Sequence, residues 1–345
     1  MPPAAGLTVV GFTWLTEHAL RLFFDLHASW WWAPLAWTPL SAAAIVWFTR
    51  RFAAGAAGSG IPQVMAALDP TVAASQHGLF VSIRLTLAKI ILTTWGLLAG
   101  LSLGREGPSV QVAAGVMLGA RRWLPQRSAV TDHGLLVAGG AAGIAAAFNT
   151  PLAGVMFAIE ELSRSPEQRN SGLLMAGIVL AGLMAVSING NATYFGVIRV
   201  AEIGRSLMLP GLLVAQASGL FARLLIMSLG GQSSDRFSRW RRERPVLFAA
   251  GCGLAVAIIG VVSYGATFGS GYAHTRAMLE GQETTPSVYL LFKFIATWLT
   301  AWSGVPAGIF APSLAIGAGS LRTIRNRRVP TGRTIAPAYY TRTNE

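Results

Sequence analysis

Long apolar stretches recur along the chain, and they restrict it to a small set of folds. The clearest lack Asp, Glu, Lys and Arg altogether and lie at residues 30–49, 134–159, 172–198, 246–275 and 294–321. An α-helix needs about 20 residues to cross the hydrocarbon core of a bilayer. Charged residues make up only 12% of the chain, against about 25% in ordinary soluble domains. The sequence therefore predicts an all-α polytopic membrane protein in contact with the lipid bilayer.

The apolar stretches hold many of the 39 glycines and 17 prolines of the chain. Small residues let helices approach closely in a membrane, which accounts for some of the glycines. Irregular backbone at membrane depth is tolerated only where protein buries it or where it lines a cavity. The pattern is therefore consistent with close helix packing and with helices that break inside the membrane.

The formal net charge of +13 is concentrated between the apolar stretches. The basic clusters are Arg50–Arg51, Arg121 to Arg127, Arg236 to Arg244, and the residues from Arg322 onward. Basic clusters beside membrane spans are typical of cytoplasmic loops, so nucleic acid is not predicted as a partner. Cys252 is the single cysteine and lies in an apolar run, which predicts a packed thiol. The N-terminus lacks the basic region of a signal peptide.

A glycine-rich turn at Gly104-Arg105-Glu106-Gly107-Pro108 precedes an apolar run. Proline favours the first helical position, so we expect a helix to begin at Pro108. Free N–H groups and the positive end of the helix dipole make a helix start suitable for an anion. Glu106 could compete with that anion until it is protonated or displaced. The alternative is an ordinary helix start, at which the Glu106 carboxylate only interacts favourably with the helix dipole.

Similar turns occur at Gly58-Ser59-Gly60-Ile61-Pro62 and at Gly308-Ile309-Phe310-Ala311-Pro312. Ser59 is placed either to cap its own helix or to face an anion. When the turn at residues 308–312 is aligned with the turn at residues 104–108, Gly104 matches Gly308 and Pro108 matches Pro312. The next residue also matches, Ser109 with Ser313. A Gly-Ser-Gly precedes each copy, and two similar halves with broken helices are common in transporters.

Ionisable residues inside or at the ends of apolar runs are the remaining candidates for function. Asn149 to Pro151 interrupts the stretch that ends at Glu160 and Glu161. Adjacent helical residues point about 100° apart, so at most one of these two acids faces a given path, and both could be interfacial charges. Lys89 needs a partner or an aqueous path, unless it lies near the end of its span. Lys293 lies in the apolar stretch at residues 288–302.

The chain is predicted to form a transmembrane domain at residues 1–320, with a first repeat at about 30–200 and a partial second repeat at about 205–320. Beyond Gly319 the sequence turns basic and polar, so residues 321–345 are predicted to be a disordered tail. The second repeat therefore looks incomplete.

The three motifs resemble the selectivity-filter motifs of the CLC family of chloride channels and proton/chloride antiporters. The segment from Phe148 to Glu161 also resembles that family, and the similarity spans most of residues 40 to 320. The resemblance implies an inverted-repeat helical fold with broken helices. It also implies a homodimer in a bacterial plasma membrane, with chloride and protons as substrates and no cofactor.

The resemblance also implies a role for individual residues. The Ser59 hydroxyl and the N–H groups of Ile309 and Phe310 would bind a central chloride. N–H groups from Arg105 to Gly107 would form an outer site, with the Glu106 carboxylate as its gate. Glu161 would pass protons toward the cytoplasm. The family also uses a tyrosine from a later helix at the central site, and neither Tyr339 nor Tyr340 is assigned that role.

Several functions stay open at this point. A proton-coupled antiporter and a voltage- or pH-gated chloride channel are equally compatible with the motifs. The basic tail raises a third alternative, a truncated remnant that does not transport. An intramembrane enzyme using Glu106 or the Glu160–Glu161 pair as a base is less favoured, because the sequence has no His-Glu-x-x-His and no Gly-x-Ser-x-Gly.

Overall fold

The computed structural model describes residues 1–125, 130–162, 172–190, 194, 208–229, 236–279 and 287–326. Within these residues the fold is all-α. Its helices are α1 (Pro2–Ser29), α2 (Ala33–Phe52), α3 (Ile61–Ala67), α4 (His77–Phe80), α5 (Ile83–Leu98), α6 (Glu106–Gly119), α7 (Asp132–Ala147), α8 (Pro151–Phe157), α9 (Gly172–Asn189), α10 (Met208–Leu229), α11 (Arg236–Glu243), α12 (Pro245–Val262), α13 (Tyr272–Leu279), α14 (Ser287–Ser303) and α15 (Phe310–Asn326).

Local sequence signals account for many of the helix boundaries. Prolines stand in the first turn of α2, α3, α8 and α12, where their missing N–H costs nothing. The Thr131 hydroxyl caps α7 by accepting from the N–H of Gly134 at 3.0 Å. Asn149 has a φ of 54° and separates α7 from α8, as the sequence predicted for this interrupted stretch.

Helices α6 and α7 form the centre of the molecule. Both are apolar around their whole circumference and are buried along most of their length. They pack against each other, and α1, α5 and α9 surround them. A second group, made of α2, α12 and α14, packs beside them around Ile45, Leu101 and Val256. The two groups meet at the loops that precede α6 and α15.

The same order of helices occurs twice. The run α2, α3, α5 and α6 is matched by α12, α13, α14 and α15, whose lengths and spacings are similar. Gly104 and Gly308, at equivalent places in the two runs, form an antiparallel β-bridge with each other. An internal repeat predicts this arrangement. The predicted junction of the repeats at residues 200–205 lies outside the described residues.

Three boundaries differ from the prediction. Helix α6 begins at Glu106, so Pro108 occupies its third position; proline fits there because the first N–H groups of a helix lack intrahelical partners. The N-cap of α3 is Gly60 and not Ser59. The φ of 110° at this position favours glycine, because a residue with a Cβ rarely adopts it. Helix α15 continues to Asn326, past the predicted start of the tail at residue 321. Residues 327–345 lie outside the described residues.

Among the described residues, two helical segments are long and apolar enough to cross a bilayer on their own, Ala74–Leu98 and Pro245–Val262. Other predicted spans are divided: residues 134–159 form α7 and α8, and a loop divides 294–321 before α15. Large apolar side chains cover much of the surface, including the tryptophans Trp30, Trp31 and Trp32.

Candidate functional site

The three predicted motifs, far apart in the chain, converge at the centre of the fold. The backbone N–H of Gly104 donates to the carbonyl of Gly308 at 2.6 Å, and the N–H of Gly308 donates back at 3.1 Å. The N–H of Ala307, just before the third motif, donates to the carbonyl of Gly58 in the first at 3.2 Å. The loops before α3, α6 and α15 are therefore joined by backbone hydrogen bonds.

Ser59 lies against the first turn of α6. A Cβ placed on Gly107 would collide with the Ser59 hydroxyl oxygen and would come within 3.0 Å of the Ser59 carbonyl oxygen. Only glycine at position 107 lets the two backbones approach this closely. The predicted chloride-binding residues Ser59 and Gly107 are thus neighbours, with Ser59 half-buried.

The Glu106 carboxylate reaches across to the other half of the molecule. It is 1% exposed, and its Oε2 accepts from the backbone N–H of Ala311, in the first turn of α15, at 3.4 Å. Its Oε1 accepts from the hydroxyl of Tyr194 at 2.8 Å. A negative group therefore occupies the N-terminal end of α15, where the free N–H groups and the helix dipole favour an anion.

The Arg105 side chain points away from this position. Its guanidinium forms an ion pair with Glu17 of α1 at 2.8 Å and donates to the carbonyl of Thr13 at 3.3 Å. Its charge is thus balanced by α1. Any contribution of Arg105 to an anion site would come from its backbone, as the sequence analysis expected.

Ile309 and Phe310 lie at the start of α15. Ile309 is half-buried, whereas Phe310 is exposed at the first helical position. The ring of Phe310 meets the ring of Phe148 edge-to-face, with centroids 5.2 Å apart. Phe148 ends α7, so the predicted Phe148–Glu161 segment begins beside the third motif.

Glu160 and Glu161 lie in a π-helical turn formed by Ala158–Leu162, directly after α8. Both side chains are exposed. Single π-turns occur frequently at functional sites because they widen the helix and redirect side chains. The structure gives no contact between either carboxylate and the three motifs within the described residues.

The two lysines of the chain are both completely buried, at equivalent positions of the two halves. Lys89 Nζ donates to the carbonyls of Ala56 and Gly58 at 2.9 and 2.6 Å. Lys293 Nζ donates to the carbonyls of Thr267 and Gly269 at 2.9 and 2.7 Å. Each lysine Nζ therefore holds one Gly-Ser-Gly turn in place, and for Lys89 the two carbonyls are the partner that the sequence predicted it to need.

Replacing either lysine by methionine is expected to destabilise the protein by about 2–3 kcal/mol, because the hydrogen bonds from the lysine amine to two backbone carbonyls would be lost. Thermal unfolding in detergent would show this as a lower Tm for Lys89→Met and for Lys293→Met. Arg239→Met, at an exposed position of α11, is the matched control and should leave Tm unchanged. A Tm equal to that of the control would contradict this role.

A cavity of about 380 Å³ lies behind the first and third motifs. Its wall includes Ala57 and Gly304, which adjoin the two motifs, and the basic side chains of Arg50 and Arg241. Burial lowers the pKa of Arg241, and the nearby charge of Arg50 lowers it further, against an opposing effect of Cys252. Such a wall is favourable for a small anion that approaches the motifs.

Two residues that contact this site, Tyr194 and Glu17, were not predicted from the sequence. Tyr194, which donates to Glu106, lies within an apolar stretch and belongs to no motif. Glu17, the partner of Arg105, was one of several scattered acids. Neither position carries a local signal, because each contact joins residues about 90 positions apart in the chain.

A family model described as voltage gated chloride channel matches residues 41–326, which is most of the chain and includes all three motifs. The chain belongs to the voltage-gated chloride channel family. Similar proteins include the H⁺/Cl⁻ exchange transporter ClcA of Citrobacter koseri, 31% identical over 304 residues, and that of Cronobacter sakazakii, 31% identical over 336 residues. These alignments cover 82% and 91% of this chain, and 60% and 68% of the two relatives.

The chain thus spans about 60% of the length of the first of these relatives. Membership of this family makes it a membrane protein, and its named relatives are exchange transporters. A slow cyanobacterial Cl⁻/H⁺ antiporter has a similar fold, with a TM-score of 0.75 and 22% identity over 94% of this chain and 78% of the antiporter. A CLC-type fluoride/proton antiporter is similar with a TM-score of 0.76 and 21% identity over 94% of this chain and 79% of that protein. The predicted CLC resemblance and all-α polytopic fold are confirmed.

Proposed function

We propose that this protein carries chloride across a membrane in exchange for protons, with the Glu106 carboxylate as its gate. The observation that carries this proposal is the position of that carboxylate, buried and bound to the N–H of Ala311 at the start of α15. A carboxylate at this place holds the position that a transported anion would occupy.

The chemistry of the surrounding groups suits chloride that has to bind and leave again. A chloride ion that has lost its water shell needs favourable electrostatic interactions with the protein in place of that water. A full positive charge beside the ion would, however, bind it too strongly for release. A helix N-terminus offers roughly half an elementary charge. The starts of α3, α6 and α15 converge here, and the cations nearest to the motifs are already committed: Lys89 to carbonyls and Arg105 to Glu17. Binding to backbone N–H groups is favourable and still reversible.

Protons enter the cycle through the gate. A protonated Glu106 no longer competes as an anion, so it would give up the N–H of Ala311 to chloride. Glu161 would then exchange protons with the cytoplasmic solution, for which its exposed position in the π-turn is suited. In this scheme Ser59 and the N–H groups of Ile309 and Phe310 bind the central chloride, and the N–H groups from Arg105 to Gly107 bind the outer one.

The remaining parts of the proposal follow from the family. We infer a homodimer in the bacterial inner membrane that transports chloride and protons, requires no cofactor and has no enzymatic activity. The cavity beside Arg50 and Arg241 would be the cytoplasmic approach for chloride, since basic residues next to spans favour that side.

Chloride efflux from liposomes containing the purified chain tests the proposal, with the external pH recorded in parallel. An outward chloride gradient should drive efflux together with stoichiometric proton uptake, because both ions use Glu106. Efflux without proton movement would indicate a channel. Absence of efflux from protein that elutes as a single, folded species would overturn the proposal, and empty liposomes serve as the control.

A further inference from the structure

Tyr194 donates the one side-chain hydrogen bond that the Glu106 carboxylate receives within the described residues, at 2.8 Å. We propose that Tyr194 is a positioning residue that holds this carboxylate in the anion position. The inference rests on the proposed function, since it concerns the gate of the same pathway. It adds a residue that belongs to none of the three motifs.

The position of Tyr194 is itself fixed by neighbouring aromatic residues. Its ring centroid lies 4.9 Å from that of Phe148 and 4.9 Å from that of Tyr272. The Tyr272 hydroxyl donates to the backbone carbonyl of Tyr194 at 2.5 Å. Phe148 contacts Phe310 in turn. Tyr194 is therefore held by Tyr272, at the start of α13, and by Phe148, which follows α7.

The phenol group of a tyrosine is suited to binding the Glu106 carboxylate reversibly, so that chloride can still displace it. Its hydrogen bond to a carboxylate is charge-assisted and stronger than one between neutral groups. It brings no positive charge, however, so it does not hold the carboxylate as a cation would. The nearby cation, Arg105, is paired with Glu17 and directed toward α1. Losing the phenol donor should therefore make it easier for chloride to displace Glu106.

Tyr194→Phe tests this inference, because it removes the donor and keeps the ring contacts. At neutral pH we expect chloride efflux from liposomes to become at least about tenfold faster, as expected for loss of one hydrogen bond to a charged group. Tyr264→Phe, which removes an exposed hydroxyl elsewhere, is the matched control and should leave efflux unchanged. An unchanged rate for Tyr194→Phe would overturn the inference.

A Glu106→Ala background separates positioning from a general structural effect. Tyr194 can act on the gate only through the carboxylate, so Tyr194→Phe should change efflux less than twofold when Glu106 is already alanine. An equal acceleration in both backgrounds would mean that Tyr194 supports the fold and does not hold the gate. Efflux from the unsubstituted chain and from Glu106→Ala also tests the proposed function independently of Tyr194.

Infrared spectroscopy gives a second readout that does not depend on transport. The carboxylate band of Glu106 can be identified in the detergent-solubilised chain by its loss in Glu106→Gln. Tyr194→Phe should shift this band, because a carboxylate oxygen loses its donor, whereas Tyr264→Phe should not. A band at the same frequency in Tyr194→Phe would refute the hydrogen bond even if the chain proved unable to carry chloride.

Discussion

Glu106→Gln is expected to stop proton movement completely while chloride continues to cross the membrane. Glutamine has nearly the shape of protonated glutamic acid and is neutral at every pH. It therefore cannot compete with chloride as an anion for the N–H of Ala311, and it has no proton to carry. We expect proton flux to fall by at least about 100-fold, to the leak of empty liposomes. A charged carboxylate would no longer have to be displaced, so chloride flux should also lose most of its dependence on pH.

The measurement is proton uptake driven by an outward chloride gradient, followed with a pH electrode beside a chloride electrode. Asp25→Asn, a neutralised acid on the exposed surface of α1, is the control and should keep both fluxes. Uphill proton pumping retained by Glu106→Gln would contradict the role of Glu106 as the shared gate. Loss of both fluxes in a folded variant would show that the carboxylate is needed for anion passage itself.

The fold was predictable because its determinants are local and repeated. Apolar stretches without charge indicate helices in a membrane, and glycine with proline marks where they begin. The alignment of Gly104 with Gly308 as equivalent positions followed from the sequence, but the backbone pairing of these two residues is a finding of the structure. The detailed helix starts were less accurate, because proline is compatible with any position in the first helical turn.

The composition of the site was only partly predictable. The motifs identified Ser59, Glu106 and Ala311 by pattern, but which N–H receives the carboxylate depends on how α6 and α15 approach each other. Tyr194 could not be found from the sequence, because a tyrosine in an apolar stretch is usually a membrane-interface or core residue. Burial of Lys89 was foreseeable, but its carbonyl partners depend on the path of the Gly-Ser-Gly turn.

Glu161→Gln is expected to abolish proton movement while chloride still passes, although Glu161 is far less buried than Glu106. Glu106 is 1% exposed, so a proton reaching it from the cytoplasm has to be delivered by another group. Glu161 is exposed at the end of the segment that begins with Phe148. Phe148, at the other end of this segment, contacts Phe310 of the third motif. Neutralising it would remove the delivery step and leave the helix N-termini that bind chloride intact. Proton flux should fall by at least about 100-fold, the lower end of what loss of one proton-transfer group costs.

Glu160→Gln is the matched control for this prediction, because the neighbouring acid is also exposed in the same turn. Adjacent helical residues point about 100° apart, so the two acids face different directions. Proton-coupled chloride flux should survive in Glu160→Gln and lose its proton component in Glu161→Gln. Equal loss in both variants would mean that the pair acts through its combined surface charge. Unchanged coupling in Glu161→Gln would place the route of the proton elsewhere. The two glutamine variants differ in a further respect: Glu106→Gln should lose the pH dependence of chloride flux, whereas Glu161→Gln should retain it, because its gate can still be protonated from the opposite side.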